Sequence, residues 1–244
     1  MRRKALRDGQ RKTLDDLEHA VHYNRWIAAM MTPFLGNRVL EIGCGTGNIT
    51  GLLSGPGGKR RVILGVDIHG EYLERARIRH RGVPGIRFER VDLEKGLGRL
   101  RRFRPDTILC VNVLEHIRTD VTLLKDCFRL LPLGGRLLAF VPALPSLYGS
   151  MDETYGHFRR YGKRDLESRV RIAGFRVEFS RYLNLLGILG WWWNGKVLRR
   201  PTVPKGPMMM YDRIVAFTRH FERYLPRPVG LSLFCAGQKS RSKQ

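Results

Sequence analysis

The chain has 244 residues, 43% hydrophobic and 27% charged, which suits one α/β domain with an insertion and excludes a disordered, polar tail. Lys and Arg number 45 against 22 Asp and Glu, a net charge of +23, so the surface should attract polyanions: nucleic acid, anionic lipid headgroups or phosphorylated substrates. The four cysteines (Cys44, Cys110, Cys127 and Cys235) make no CxxC pair, and three sit in apolar runs, so reduced core thiols in a cytoplasmic compartment are expected, and no metal site.

The opening "MRRKALRDGQRK" is basic but is followed by no apolar stretch, so it reads as an arm rather than a signal peptide. Residues 13–35 carry Leu14, Leu17, Val21, Trp26, Ile27 and Met30 at helical spacing, and Pro33 and Gly36 end the pattern; residues 1–35 are thus a basic arm and a helical cap. Strands and helices then alternate. Strands are expected at Arg38–Ile42, Arg61–Val66, Ile86–Val91, Thr107–Val111, Arg136–Val141, Phe175–Ser180 and Leu231–Ala236. Helices are expected at Asn48–Leu53, Glu71–Arg81, Val121–Leu131 and Arg164–Ala173. Such alternation predicts a Rossmann-like α/β fold, a mostly parallel sheet with helices on both faces. Residues 183–228 form a long interruption rich in Trp, Met and Pro, with helical spacing over Tyr211–Leu225. They are expected to form a helical insertion, used as a substrate lid, between the last two strands of a domain made of 36–182 and 229–238. The apolar run Leu183–Trp193 is broken by Asn184 and falls short of the roughly 18 residues of a spanning helix, so no transmembrane segment is expected.

The segment "VLEIGCGTGNIT" follows the first strand with glycines at 43, 45 and 47. A glycine turn between strand and helix lets a ligand approach bare backbone and the free N–H groups beyond it. The spacing is G-x-G-x-G, not the G-x-G-x-x-G of dinucleotide sites. Asp67 closes the second strand about twenty residues later, where an acid can accept from ribose hydroxyls. Asp92 closes the third strand, placed to accept from an adenine amine while Leu93 packs on the ring, and Glu41 precedes the glycines, placed to face an α-amino group. Amine, ribose and adenine without phosphate describe S-adenosylmethionine.

Residues 36–142 resemble a class I S-adenosylmethionine-dependent methyltransferase in five pieces in order: "VLEIGCGTG", "GVDIHGEYLERAR", "VDLEKG", "PDTILCVNVLEHI" and "LLPLGGRLLAFVP". The resemblance implies a seven-stranded sheet with a reversed last strand. It implies cofactor contacts at Glu41, Gly43, Gly45, Asp67, Ile68, Asp92, Leu93 and Asn112. Tyr23 and Trp26 are similar to residues that cap the cofactor in related enzymes; the alternative is plain packing of an amphipathic helix.

The acceptor is read partly from absences. The fourth strand ends in "NVLE", not the Asn/Asp-Pro-Pro-aromatic motif of enzymes acting on adenine or glutamine amines, and no Pro-Cys pair for cytosine C5 chemistry occurs. "VLEHI" resembles small-molecule enzymes such as quinone O-methyltransferases. The later "PALPSLYGSMDETYGHFRRYGKRDL", with "GF" and "GLSL", resembles methyltransferases of cell-surface glycan or lipid pathways. The resemblance implies methyl transfer, most readily to oxygen, on a small molecule, sugar or lipid-linked intermediate. An oxygen acceptor needs a base; His157 is the first candidate and His116 the second, because histidine titrates near neutrality. Arg159 and Arg160 are expected to bind a substrate carboxylate or phosphate, with Tyr148, Tyr155 and Tyr161 as further contacts and Asp152 paired to an arginine of the same loop. Trp191–Trp193 beside Lys196, Arg199 and Arg200 suits peripheral contact with an anionic membrane. The rival reading is an RNA methyltransferase using the basic surface.

Overall fold

The computed structural model describes residues 20–54, 61–202, 205–222 and 228–241; the expected basic arm and the start of the helical cap lie outside them. Seven strands form one sheet: β1 (Arg38–Ile42), β2 (Val62–Asp67), β3 (Ile86–Arg90), β4 (Thr107–Val111), β5 (Arg136–Pro142), β6 (Arg176–Leu183) and β7 (Ser232–Gln238). Their order is β3-β2-β1-β4-β5-β7-β6. The pairs among β1 to β5 are parallel, and β7 runs antiparallel to both β5 and β6. The expected reversed last strand is present.

Strand residues alternate between two covered faces, as the period of two requires. One face carries Leu40, Ile42, Leu64, Val66, Ile108 and Cys110. It is covered by α4 (Asp120–Leu130) and α6 (Lys163–Ile172) through side chains such as Leu124, Cys127, Leu166 and Val170. The other carries Val39, Ile63, Leu109, Leu138, Phe140 and Phe234 under α1 (Val21–Met31) and α2 (Asn48–Leu53). A third helix on the chain, α3 (Gly70–Arg79), packs Leu73 and Ala76 against Phe88 and Cys44. Each fully buried Leu, Ile or Phe contributes about 1.5–3 kcal/mol, so the two faces outweigh any single polar contact in holding the sheet. All four cysteines are free and buried.

Strand limits shift where pairing rather than hydropathy decides them. β2 takes in Asp67 because Asp67 pairs with Arg90 of β3. β6 runs three residues beyond the apolar pattern to Leu183, with Arg181 and Tyr182 held by β7 and a bulge between Val177 and Phe179; ladder hydrogen bonds tolerate polar side chains on an edge strand.

The insertion holds α7 (Gly187–Trp192), a π turn at Trp193–Val197 and α8 (Lys205–Glu222); α5 (Ser150–Tyr155) precedes α6 on the β5–β6 connection. Leu183 ends β6 opposite Ser232, which starts β7, and Leu231 N–H donates to Asn184 O at 3.0 Å. The whole insertion therefore leaves and returns at the carboxyl end of the parallel strands. Asn184 turns the chain there at φ 66°, and its Oδ1 accepts from Gly187 N–H at 3.0 Å and from the Tyr211 hydroxyl. Helix α8 is tied to α1 by Asp212, whose carboxylate accepts the N–H groups of His22 (3.2 Å) and Tyr23 (2.9 Å). These are donors that the first turn of a helix leaves without intrahelical partners.

Candidate functional site

The sheet reverses its winding between β1 and β4: the chain builds outward to β2 and β3 on one side and to β5 on the other. Ligands of open α/β sheets bind outside the carboxyl ends at such a point. The glycine loop leaves β1 there, and Asn112 leaves β4 beside it. Gly43, Gly45 and Gly47 all take positive φ (69°, 53° and 78°), a region that L side chains enter at a cost of roughly 1–2 kcal/mol. At Gly43 close approach adds to this, since a Cβ would stand 2.4 Å from Val113 Cγ2 of the β4 end. His80 braces the other side of the loop: it lies against Gly47 and Gly51, and its Nε2 is 2.9 Å from Gly47 O. No feature of the local sequence marks His80 for that task.

Three acids stand along this edge in strand order. Asp67 Oδ2 accepts Gly45 N–H and Oδ1 accepts His69 N–H, both at 2.9 Å. The carboxylate is therefore clamped between the loop and the next turn, with lone pairs left over for a ligand hydroxyl. Asp92 and Leu93 follow β3, and Val91 N–H donates to Asp67 O at 2.9 Å, which brings the β3 end alongside. Ile68 beside them is 44% exposed, an apolar side chain left uncovered where a planar ring would rest. Asn112 takes φ 52°, a conformation asparagine tolerates better than most residues. Glu41 lies beneath the loop, 2% exposed, accepting from the Thr50 hydroxyl. Burial lifts its carboxyl to about 7, the Thr50 bond opposing and Asp67 adding to the rise. The donors and acids suit an amine, a diol and an adenine.

Tyr23 and Trp26 pack into the core beneath this edge. Both are under 10% exposed, their rings lie 6.2 Å apart, Tyr23 also meets Phe140 and Tyr211, and its hydroxyl pairs with Ser232 Oγ at 3.1 Å.

A second cluster is built from the ends of β4 and β5, the 143–161 segment and the insertion. Leu144, just past β5, takes φ 61°, a strained conformation for a branched side chain. Asp152 is fully buried and holds this region together. Its Oδ1 meets His157 Nδ1 at 2.7 Å, and both its oxygens accept from Arg160 Nε at 2.9 and 3.0 Å. Burial alone would raise its carboxyl; the hydrogen bonds and charges of His157 and Arg160 outweigh that and hold it below the usual value. Arg160 also donates to Ala143 O at 3.0 Å and lies over the Trp191 ring at 4.3 Å. The expected pairing of Asp152 with a loop arginine is thus found. It leaves Arg160 unable to serve as a substrate contact, because its side chain is 1% exposed and already paired.

Arg159, 26% exposed, and the buried Tyr161 both meet Asp120. Arg159 Nη1 meets Asp120 Oδ2 at 3.0 Å. The Tyr161 hydroxyl donates to the same carboxylate at 2.8 Å, and its ring is wholly buried. Burial and Asp120 push the Tyr161 phenol above its usual value. Asp120, an α4 residue 41 positions away, is what the local sequence omitted. Tyr148 donates to His157 O at 2.8 Å. Tyr155 is buried with its ring 5.9 Å from His157 and 6.1 Å from Trp191.

His116 and His157 come together, ring centroids 4.8 Å apart. Burial first, and then the neighbouring His157, push the His116 imidazole down to about 3, so it stays neutral and is a poor proton acceptor. Glu115 beside it is wholly buried, and neither carboxylate oxygen has a hydrogen-bond partner. Burial lifts its carboxyl to about 7, with His157 opposing. A cavity of about 450 Å³ opens between Leu93, Gly96, His116, Ile117, Arg118 and Phe158, running from the end of β3 to His116.

Residues 40–137 match the family described as methyltransferase domain. A ubiquinone biosynthesis O-methyltransferase of Paracidovorax citrulli is 30% identical over 112 residues, 45% of each chain. A ubiquinone/menaquinone biosynthesis C-methyltransferase of Azotobacter vinelandii is 35% identical over 125 residues, 49% of each chain. The chain thus spans about half the length of the curated relatives it matches. Among solved structures, an S-adenosylmethionine-dependent methyltransferase of Mesorhizobium loti aligns over 87% of this chain and 95% of its own, with a TM-score of 0.59 at 16% identity; at that identity the likeness is one of fold.

Proposed function

We propose that this chain is a class I S-adenosylmethionine-dependent methyltransferase and that it methylates an oxygen of a sugar or lipid-linked small molecule. Bound S-adenosylmethionine supplies a methyl group on a sulfonium, the electrophile of the reaction. The chain's own residues hold the two reactants. The glycine loop, Asp67, Ile68, Asp92, Leu93 and Asn112 seat the cofactor, and Glu41 lies behind the loop as the acid nearest an α-amino group. Placing the acceptor oxygen in line with the methyl supplies much of the rate, since orientation alone contributes about 7–11 kcal/mol in well-held intramolecular systems. His157 is the side chain we assign to the acceptor hydroxyl: Asp152 holds Nδ1, which leaves Nε2 for the acceptor and fixes the ring. The neutral, half-buried His116 supports that ring instead of acting as the base.

The observation that carries the acceptor class is the insertion. At the carboxyl end it exposes Leu189 (68%), Trp192 (47%), Trp193 (52%) and Met210 (62%), with Lys196, Arg199 and Arg200 on the same segment as the tryptophans. Uncovered apolar side chains beside cations suit the boundary of an anionic bilayer. No helix among the described residues is long and apolar enough to cross a membrane. The reading is of a lid over the acceptor that touches the cytoplasmic membrane surface. An RNA substrate has only the net charge in its favour.

The test is transfer of labelled methyl from S-adenosylmethionine with three acceptor pools: an isoprenoid-linked glycan extract, water-soluble phenols and sugars, and total RNA. Label in the lipid pool, increased by anionic vesicles, supports the reading. Label confined to the aqueous pool removes the lipid-linked acceptor, and label in RNA replaces the reading.

A further inference from the structure

The cluster beside the 450 Å³ cavity is built like a ligand set. Glu115 and His116 lie in the turn Leu114–His116 after β4, and His157 follows α5. One ligating atom of each, a carboxylate oxygen and two imidazole nitrogens, lies within 4.8 Å of the others. Glu115 is wholly buried, yet both its oxygens lack a hydrogen-bond partner, and so does His116 Nδ1. Buried polar groups are paired in nearly all folded proteins, and each exception calls for a physical cause. His157 shows the second feature of a ligand histidine. Its Nδ1 is held by Asp152 at 2.7 Å and Asp152 is gripped by Arg160; that outer carboxylate fixes the ring and presents Nε2.

We infer that Glu115, His116 and His157 bind one divalent transition-metal ion, with Asp152 as the orienting outer carboxylate. Two imidazoles and one carboxylate suit Zn²⁺, Mn²⁺, Fe²⁺ or Co²⁺, and suit Mg²⁺ or Ca²⁺ poorly, since those take oxygen ligands. Three protein ligands leave coordination positions open, and the cavity at His116 provides the way in. Cysteine counting misses such a site because its ligands are a carboxylate and two imidazoles from separate segments. This deepens the acceptor assignment and rests on it in one respect. With the ion bound, His157 Nε2 is a ligand and no longer the group that meets the acceptor hydroxyl; the ion would take that place and lower the proton affinity of an oxygen bound to it. The hydroxyl proton then leaves to water through the cavity, the oxygen lone pair forms the bond to the methyl carbon, and the carbon–sulfur electron pair stays on sulfur.

Cobalt(II) is the probe, because nitrogen-rich coordination gives visible absorption bands. Full-length protein, stripped with chelator and shown to be folded by circular dichroism, is titrated with Co²⁺ by calorimetry and absorption, beside Glu115→Gln and His157→Gln. The expected result is one Co²⁺ per chain with bands of low-symmetry nitrogen ligation. Each folded variant should bind at least tenfold more weakly, and Zn²⁺ should displace the cobalt. No uptake by the folded wild type overturns the inference, and so does uptake that both variants retain unchanged. A variant that fails to fold is replaced by His116→Gln, judged by the same criterion. The titration contains no acceptor, so its failure leaves the acceptor reading standing. Conversely, a metal-loaded protein that labels no acceptor pool defeats that reading alone.

Discussion

The two halves of the carboxyl edge are built on different principles. The cofactor half runs along β3, β2 and β1, and its groups come from strand ends within about fifty residues: Glu41, the glycines, Asp67 and Asp92. Its carboxylates are met by neighbouring backbone N–H groups and a hydroxyl. The other half, proposed for the acceptor, is held by two buried carboxylates: Asp152, paired with His157 and Arg160 of its own loop, and Asp120, paired across distant segments with Arg159, Tyr161 and Arg169. Backbone can place the parts of a cofactor that never varies. In the second half, carboxylates buried at Asp152 and Asp120 hold the neighbouring arginines, histidine and tyrosine in place.

Breaking the second half should cost most. Replacing Arg160 by Met leaves the Asp152 carboxylate buried beside His157 alone, and orphaning one partner of a buried pair costs about 3–5 kcal/mol. Urea unfolding should show that loss, while the folded fraction still binds S-adenosylmethionine within twofold of wild type. If cofactor affinity fell in step with stability, the two halves would not be separable.

Glu41 gives the next largest effect and tests the cofactor half through pH. Its carboxyl is lifted from 4.5 to about 7 in the folded chain, so between these values the folded state binds more protons than the unfolded one. Its contribution to stability is therefore full below pH 4.5 and is lost as the pH rises through about 7. Each tenfold change in proton affinity is worth about 1.36 kcal/mol, so the loss is on the order of 3 kcal/mol. Glu41→Gln keeps an acceptor for Thr50 and removes the titration. The stability of wild type relative to this variant should fall by that order between about pH 4.5 and 8 in parallel urea titrations; parallel curves would show that burial does not govern Glu41.

Gly43→Ala should come third. The added methyl lands on Val113 at a φ of 69°, costing roughly 1–2 kcal/mol in backbone conformation before Val113 moves. The expected result is weaker cofactor binding by intrinsic tryptophan fluorescence, with the 143–161 region still protected from proteolysis. Smallest is Asp212→Ala, which removes the carboxylate from the first turn of α1, a capping loss of about 1 kcal/mol. It should loosen α8 to amide exchange and spare both halves of the edge.

The same contrast explains what the sequence makes legible. The glycines, Asp67 and Asp92 announce themselves because each lies at a strand end inside a short motif, and the strands show as apolar runs. Arg159, Arg160 and Tyr161 sit just as plainly in "GHFRRY", yet the sequence does not show that Arg160 and Tyr161 turn onto buried acids and that Arg159 shares Asp120 with Tyr161. Whether an arginine faces a ligand or a buried acid depends on Asp120 and Asp152, and Asp120 reaches the loop only through folding. Asp212 capping α1 from 189 residues away leaves no local trace, nor does the brace of His80 behind Gly47 and Gly51. Hydropathy identifies what is buried and cannot say which buried charges meet.

The measurement that bears most directly on the account is calorimetric titration of the full-length protein with S-adenosylmethionine, beside Asp67→Ala. The account predicts one site in wild type, and an affinity about 10- to 100-fold lower in the variant, the loss expected when hydrogen bonds to a charged group are removed. Equal binding by the two proteins, or no binding by folded wild type, would contradict it.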